Sequence, residues 1–161
     1  MSFKNDLISG LSKKNKTIPS KYHYDYQGSK YFEKITKQKE YYPTRKEKEI
    51  LQKISKRIPK MFNGDLSFCE IGSGAIDKVK ILMNKNVKFY FPIDISGKFI
   101  RKASKKLKAK YPRLKVKPVI ADYSKPFKIK NFKNTTKVFF FLGSSIGNFH
   151  PGEDIKFLRN L

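Results

Sequence analysis

The first third of the chain spaces its apolar residues for helices, and from about residue 66 they gather into short runs. Residues 1–20 follow neither pattern and read as a loosely ordered lead-in. In "YQGSKYFEKI", Gly28-Ser29 can turn into a short helix with Tyr31, Phe32 and Ile35 on its apolar side. In "EYYPTRKEKEILQKISKRI", Thr44 and Glu47 have capping-box spacing just after Pro43. Ile50, Leu51, Ile54 and Ile58 follow at helical spacing, so one face should be buried, and the helix should end before Pro59.

After "NGD" the period changes. "LSFCEIGSG" reads as a strand entering a glycine loop, followed by a helix carrying Val79, Leu82 and Met83. "VKFYFPID" is a second strand, and "GKFIRKASKKLKAKY" an amphipathic helix with Phe99, Ile100, Ala103 and Leu107 inside. "LKVKPVIAD" and "KVFFFLGSS" are a third and a fourth strand. Strands alternating with helices imply right-handed crossovers and a parallel sheet, hence a three-layer α/β fold. The chain divides into an N-terminal helical segment, 1–62, and a sheet-containing segment, 63–161.

Composition changes this picture little. At 161 residues with 39% hydrophobic content, one domain with a real core is expected. Charge is the outlier: 37 Lys and Arg against 13 Asp and Glu give +24. Such a balance raises nucleic acid as a partner. Yet arginine, whose planar fork reads phosphate and bases, supplies only 5 of the 37, and the lysines are spread along the chain. A lysine bias at solvated positions explains the charge better, so nucleic acid stays the weaker alternative. One cysteine, Cys69, excludes an internal disulfide, and no apolar run approaches the roughly 18 residues that span a bilayer. The start lacks a signal-peptide core, and the reading is of a soluble, cytoplasmic protein without membrane contact. No metal-ligand spacing and no Ser-His-Asp set stands out.

Chemistry gathers at the carboxyl ends of the expected strands, where open parallel sheets bind ligands. The first ends in Glu70-Ile71-Gly72-Ser73-Gly74, the second in Asp94, the third in Asp122-Tyr123 and the fourth in Gly143-Ser144-Ser145. Asp94 lies 22 residues beyond Gly72, near the offset at which an acid takes a ribose hydroxyl pair. A dinucleotide or S-adenosylmethionine fits that spacing. Asp77 stands where the dinucleotide fingerprint has its third glycine, and an acid there repels a pyrophosphate. An acid-rich site suits the cationic sulfonium, which favours the methyl donor.

The segments "YDYQGSKYFEKITKQKEYYPTRKEKEIL", "EIGSG", "DKVK", "PIDIS", "IADY" and "FLGSSIGNFHPGE" together resemble the histidine-specific, S-adenosylmethionine-dependent methyltransferases of ergothioneine biosynthesis. The resemblance runs from about Lys21 onward, and "YYPTR" and "FLGSSIGN" are its most specific parts. It implies a Rossmann-like methyltransferase sheet of about four parallel strands and methyl transfer to the α-amine of L-histidine. It also implies site residues. Gly72 would line the cofactor loop, Lys78 would lie against the cofactor, Asp94 would hold the ribose, and Asp122 with Tyr123 would take the adenine. Tyr41 would close over methyl donor and amino acid, and Asn148 would bind the amino acid. No residue is singled out as catalytic. The chain departs from the family at Ala75 and Ile76, where small hydroxyl residues are usual, and Tyr123 replaces the commoner phenylalanine. Pro118 fits the third strand only if that strand is an edge, as the sheet order 3-2-1-4-5 provides.

The family's other amino-acid contacts lie in a domain that follows the fourth strand, and this chain does not contain it. "VFFFL" would then be an unpaired apolar edge. "GEDIKFLRNL" has helical spacing at Ile155, Leu158 and Leu161 without a stop signal. The expectation is therefore a partial copy that needs the missing domain in cis or in trans. A methyltransferase for another small amine or for RNA, or an inactive fragment, are the alternatives.

Overall fold

The computed structural model describes residues 3–130, 134–159 and 161. Four helices precede the first strand: α1 (Phe3–Leu11), α2 (Tyr26–Ile35), α3 (Pro43–Ser55) and α4 (Ile58–Met61). The expected lead-in is therefore ordered over most of its described part. Its partners are distant in sequence: the Tyr22 hydroxyl donates to Asp6 at 2.5 Å, and the Phe3 and Tyr22 rings meet edge to face at 4.7 Å. α2 starts earlier than the Gly28-Ser29 turn predicts, because the Asp25 carboxylate caps it by accepting the Gly28 N–H at 2.7 Å. Of its expected apolar side only Phe32 turns inward, and Tyr31 and Ile35 are exposed.

The capping box does not form at the start of α3. Tyr42 takes the N-cap position with helical dihedrals and no side-chain cap, and Pro43 opens the helix. Thr44 is buried instead, and Glu47 reaches away toward the sheet. Leu51 and Ile58 enter the core with Ile54 beside them, but Ile50, about 100° round the helix from Leu51, is exposed. The helix does end before Pro59, which is the second residue of the short α4.

The sheet comprises β1 (Leu66–Ile71), β2 (Val87–Asp94), β3 (Lys115–Val116), β4 (Val119–Ile120) and β5 (Thr136–Phe141). All its pairings are parallel, in the order β3-β2-β1-β5 with β4 also on β2. This is the expected α/β architecture with the third strand at an edge. That strand is broken in two rather than continuous. Lys117 still donates to the Tyr90 carbonyl at 2.8 Å, but Pro118 has no N–H to continue the ladder.

Between β1 and β2 the expected helix is only a 3-10 turn, Val79–Leu82, stopped where Asn84 bonds the backbone at Leu82 and Asn86. After β2 runs α5 (Gly97–Lys110), which buries Phe99, Ile100, Ser104 and Leu107, with Ala103 at the margin. Another 3-10 turn, Ser145–Asn148, follows β5 and leads to α6 (Glu153–Arg159). α6 buries Phe157, while Ile155, Leu158 and Leu161 of the expected stripe are exposed and Asn160 lies outside the described residues.

Side chains alternate across β1 and β2. Phe68 and Tyr90 face one core with Leu51, Ile76, Val79 and Leu107. Cys69, Ile71, Phe91 and Ile93 face the other with Phe157. Cys69 packs in its strand as expected, and burial pushes its thiol up to about 12. Among the described residues no helix is long and apolar enough to cross a membrane.

Candidate functional site

Register decides where the chemistry meets. Ile71 pairs with Ile93 on one side and Phe141 on the other, and Asp94 pairs with Ile120. The glycine loop after β1, Asp94, Asp122 and the loop after β5 are thereby brought to one level. They border a cavity of about 850 Å³, closed from above by residues of α1, α2 and α3. That size is within the range of small-molecule sites.

Gly72, Lys78, Asp94, Asp122, Tyr123 and Asn148 all line this cavity. Tyr41 stands outside the lining, its ring edge-on to Phe32 at 6.0 Å, and Phe32 is the residue at the wall. Gly72 has φ +65°, a left-handed backbone that glycine takes freely. Ile76 is left-handed too, at φ +60°, which for a β-branched residue costs on the order of 1–3 kcal/mol. Its side chain is almost fully buried in the core, so packing holds the loop in place.

Asp94 is buried and accepts N–H bonds from Gly74 at 3.0 Å and Ser96 at 2.9 Å, one on each oxygen. Burial pushes its carboxyl above the usual range, against those bonds. Each oxygen keeps a further lone pair for a ligand hydroxyl. Asp122 receives Ser124 and, at 3.4 Å, the Lys21 ammonium, which also pairs with Asp6 at 3.1 Å. Burial alone would raise Asp122, but these partners together hold it low. Tyr123 packs against Phe141 and Phe149, and burial pushes its hydroxyl up to about 12.

Glu70 corrects the expectation of three acids presented at strand ends. It is buried beneath the loop, bonded by the Tyr90 hydroxyl, and burial pushes it up to about 8. The cavity is nevertheless rich in acid. Asp6, Glu33, Asp77, Asp94, Asp122 and Glu153 line it, six of the chain's 13 acids, against six of its 37 basic residues. A neutral balance within a chain of +24 suits a cationic ligand. Ser73 supplies an independent fit: its hydroxyl is buried in the loop with no hydrogen-bond partner among the described residues. A ligand carrying hydroxyl and amino groups can satisfy it.

Three contributors were not visible in sequence. Lys21 reaches Asp122 from about a hundred residues away, and Asp6 pairs with the same ammonium, with no local signal for either. Glu47 carried a misleading one, since its spacing from Thr44 suggested a cap. It pairs with Lys78 at 2.5 Å instead.

Comparison with known proteins agrees with this geometry. The family model described as histidine-specific methyltransferase, SAM-dependent, matches residues 3–161. A histidine N-alpha-methyltransferase of Mycobacterium tuberculosis is 31% identical over 100% of this chain and 51% of its own length. Ergothioneine biosynthesis protein 1 of Schizosaccharomyces pombe is 28% identical over 89% of this chain and 20% of its own. The chain thus spans about half the length of the mycobacterial relative. A solved putative S-adenosyl-L-methionine-dependent methyltransferase of Methanococcus maripaludis is 19% identical at a TM-score of 0.49, over 92% of this chain and 61% of that one. That likeness adds nothing to the family match. The chain belongs to the histidine-specific, S-adenosylmethionine-dependent methyltransferase family.

Proposed function

We propose that the chain forms the cofactor-binding part of an enzyme that methylates the α-amino group of L-histidine, a step toward ergothioneine. The observation that carries this reading is the gathering of Asp94, Asp122, Gly72 and Lys78 around one acid-rich cavity in a strongly basic chain. The family match and the name of the mycobacterial relative support the choice of amine.

S-adenosylmethionine supplies a methyl group on a cationic sulfur, ready for in-line displacement. What remains for the chain is to hold and orient. Asp94 offers its free lone pairs to the ribose hydroxyls, while its backbone bonds keep it rigid. Asp122 and Tyr123 take the adenine, with the Tyr123 ring itself held edge-on by Phe141 and Phe149. Gly72 lets the ligand approach the backbone, Ser73 donates or accepts one bond, and Lys78 lies alongside. Asn148, exposed at the mouth on its 3-10 turn, meets the amino acid. Tyr41, edge-on to Phe32 one ring behind the wall, is the residue for closing over both ligands.

Calorimetry with S-adenosylmethionine tests the reading. The chain should bind it, and Asp94→Ala should weaken binding at least about tenfold, the loss of one charge-assisted contact. No heat with the wild-type chain overturns the proposal. Titrating L-histidine against L-tryptophan into the cofactor complex tests the amine, and a preference for tryptophan would reassign the substrate.

A further inference from the structure

Glu47 leaves α3 and joins two loops that no local sequence signal connects. Its Oε2 pairs with the Lys78 ammonium at 2.5 Å, and its Oε1 accepts the Gly143 N–H at 2.5 Å. Both side chains of the pair are about one-fifth exposed, 23% for Glu47 and 20% for Lys78. The pair is therefore partly desolvated and less screened than a surface one. Lys78 closes the glycine loop after β1, where it immediately precedes the Val79–Leu82 turn. Gly143 opens the loop after β5 that carries Asn148, and its φ of +82° aims its N–H back at Glu47.

The Lys78 ammonium also lies close against Gly143, since a Cβ there would come within 2.8 Å of its Nζ. Ser144, next in line, is left-handed as well at φ +58°, which leaves the loop few ways to relax. One carboxylate therefore fixes both a cofactor-side cation and the base of the loop on the amine side.

We infer that Glu47 is a positioning residue that couples the two halves of the site, so that cofactor binding at the Lys78 loop sets the conformation of residues 143–148. This rests on the methyltransferase reading of the cavity. A ligand carboxylate near Lys78 shares the ammonium with Glu47 and holds it still, and the same Glu47 carboxylate then holds Gly143 in place. By linkage, order imposed at either loop favours binding at the other.

Hydrogen exchange on the whole 161-residue chain, with and without saturating S-adenosylmethionine, tests this without needing methyl transfer. In the wild type the amides of 143–148 should slow on adding cofactor. Glu47→Gln keeps an oxygen for the Gly143 N–H but loses the charge on Lys78. It should bind cofactor about tenfold more weakly, and at saturation its 143–148 amides should not slow. Equal slowing in wild type and variant at saturation overturns the inference. If Glu47→Gln fails to fold, Lys78→Met cuts the same junction from the other loop. Retained slowing in that variant overturns the inference too. A wild-type chain that binds no S-adenosylmethionine sinks the methyltransferase reading, and the coupling with it, whereas binding with unaltered coupling in the variants sinks only the coupling.

Discussion

β1 and β5 are neighbours of equal length and similar apolar content, yet their environments are opposite. Every residue of β1 is buried, and no residue of β5 is. β1 has β2 on one side and β5 on the other; among the described residues β5 pairs with β1 alone. Apolar content brought both strands into the sheet, but position within it decided burial. The same contrast extends to the loops that follow them. Beyond β1 the backbone around Gly72 to Ile76 is packed down by Ile76 and tied to Asp94. Beyond β5 the loop rests on Glu47, and Asn148 is exposed. The glycine-loop side of the cavity is built into the core, and the Asn148 side is hung from its edge.

Paired truncations should break the comparison most visibly. Phe68 in β1 is fully buried, with the Phe140 ring edge-on at 4.9 Å, and Phe68→Ala should destabilise by about 3–5 kcal/mol. Phe139 in β5 is 36% exposed, and Phe139→Ala should cost less than half as much. Denaturant midpoints measure both. Equal losses would mean that β5 is as well packed as β1.

Next in size is a pH effect confined to β1. Glu70 is pushed up to about 8 by burial, so between its ordinary value and that one the folded chain keeps a proton that the unfolded chain has released. Stability should therefore fall as pH rises through this window, and be unaffected by Glu70 below it. Glu70→Gln keeps an oxygen for the Tyr90 hydroxyl and has no charge to desolvate. It should be more stable than wild type at pH 8, on the order of 2–4 kcal/mol, with no difference near pH 4. Identical pH profiles would show that Glu70 is ionised in place. No comparable slope arises from β5, which carries no acid.

Sequence conveyed the central strands well, because their signals are local. Continuous apolar runs bounded by glycine or aspartate marked β1 and β2, and Pro118 agreed with the edge position that the resemblance implied for the third strand. The ends of those strands placed Asp94 and Asp122 at one rim. Features that depend on distant partners were not legible. α1 has little periodicity of its own and is held by Tyr22 and Lys21. Glu47 satisfied a local capping pattern and then bonded across the fold, because a partly buried ammonium and a free N–H outcompeted one end of a helix. Tyr41 is the remaining difference: the resemblance gives it both ligands, whereas here it packs on Phe32 behind the wall.

The smallest stability effect, and the sharpest separation of folding from binding, is expected at Asp122. It lies beyond the broken edge strand, partly exposed, and its Lys21 contact at 3.4 Å is long. The contact is long and its ammonium is shared with Asp6 at 3.1 Å, so Asp122→Asn should change global stability by less than about 1 kcal/mol. Because Lys21 and Ser124 hold the carboxyl below its usual range against the pull of burial, that contribution exists above the ordinary carboxylate pKa and disappears as pH falls through the lowered one. The variant should accordingly lose a little stability at neutral pH and none in acid. On the proposed reading its affinity for S-adenosylmethionine should nonetheless drop several-fold, since the contact proposed for the adenine would go with the charge. Calorimetry beside a pH series of denaturant midpoints separates the two. A variant as tight as wild type would remove Asp122 from the binding set and leave it as the anchor that Lys21 uses to hold α1 over the cavity.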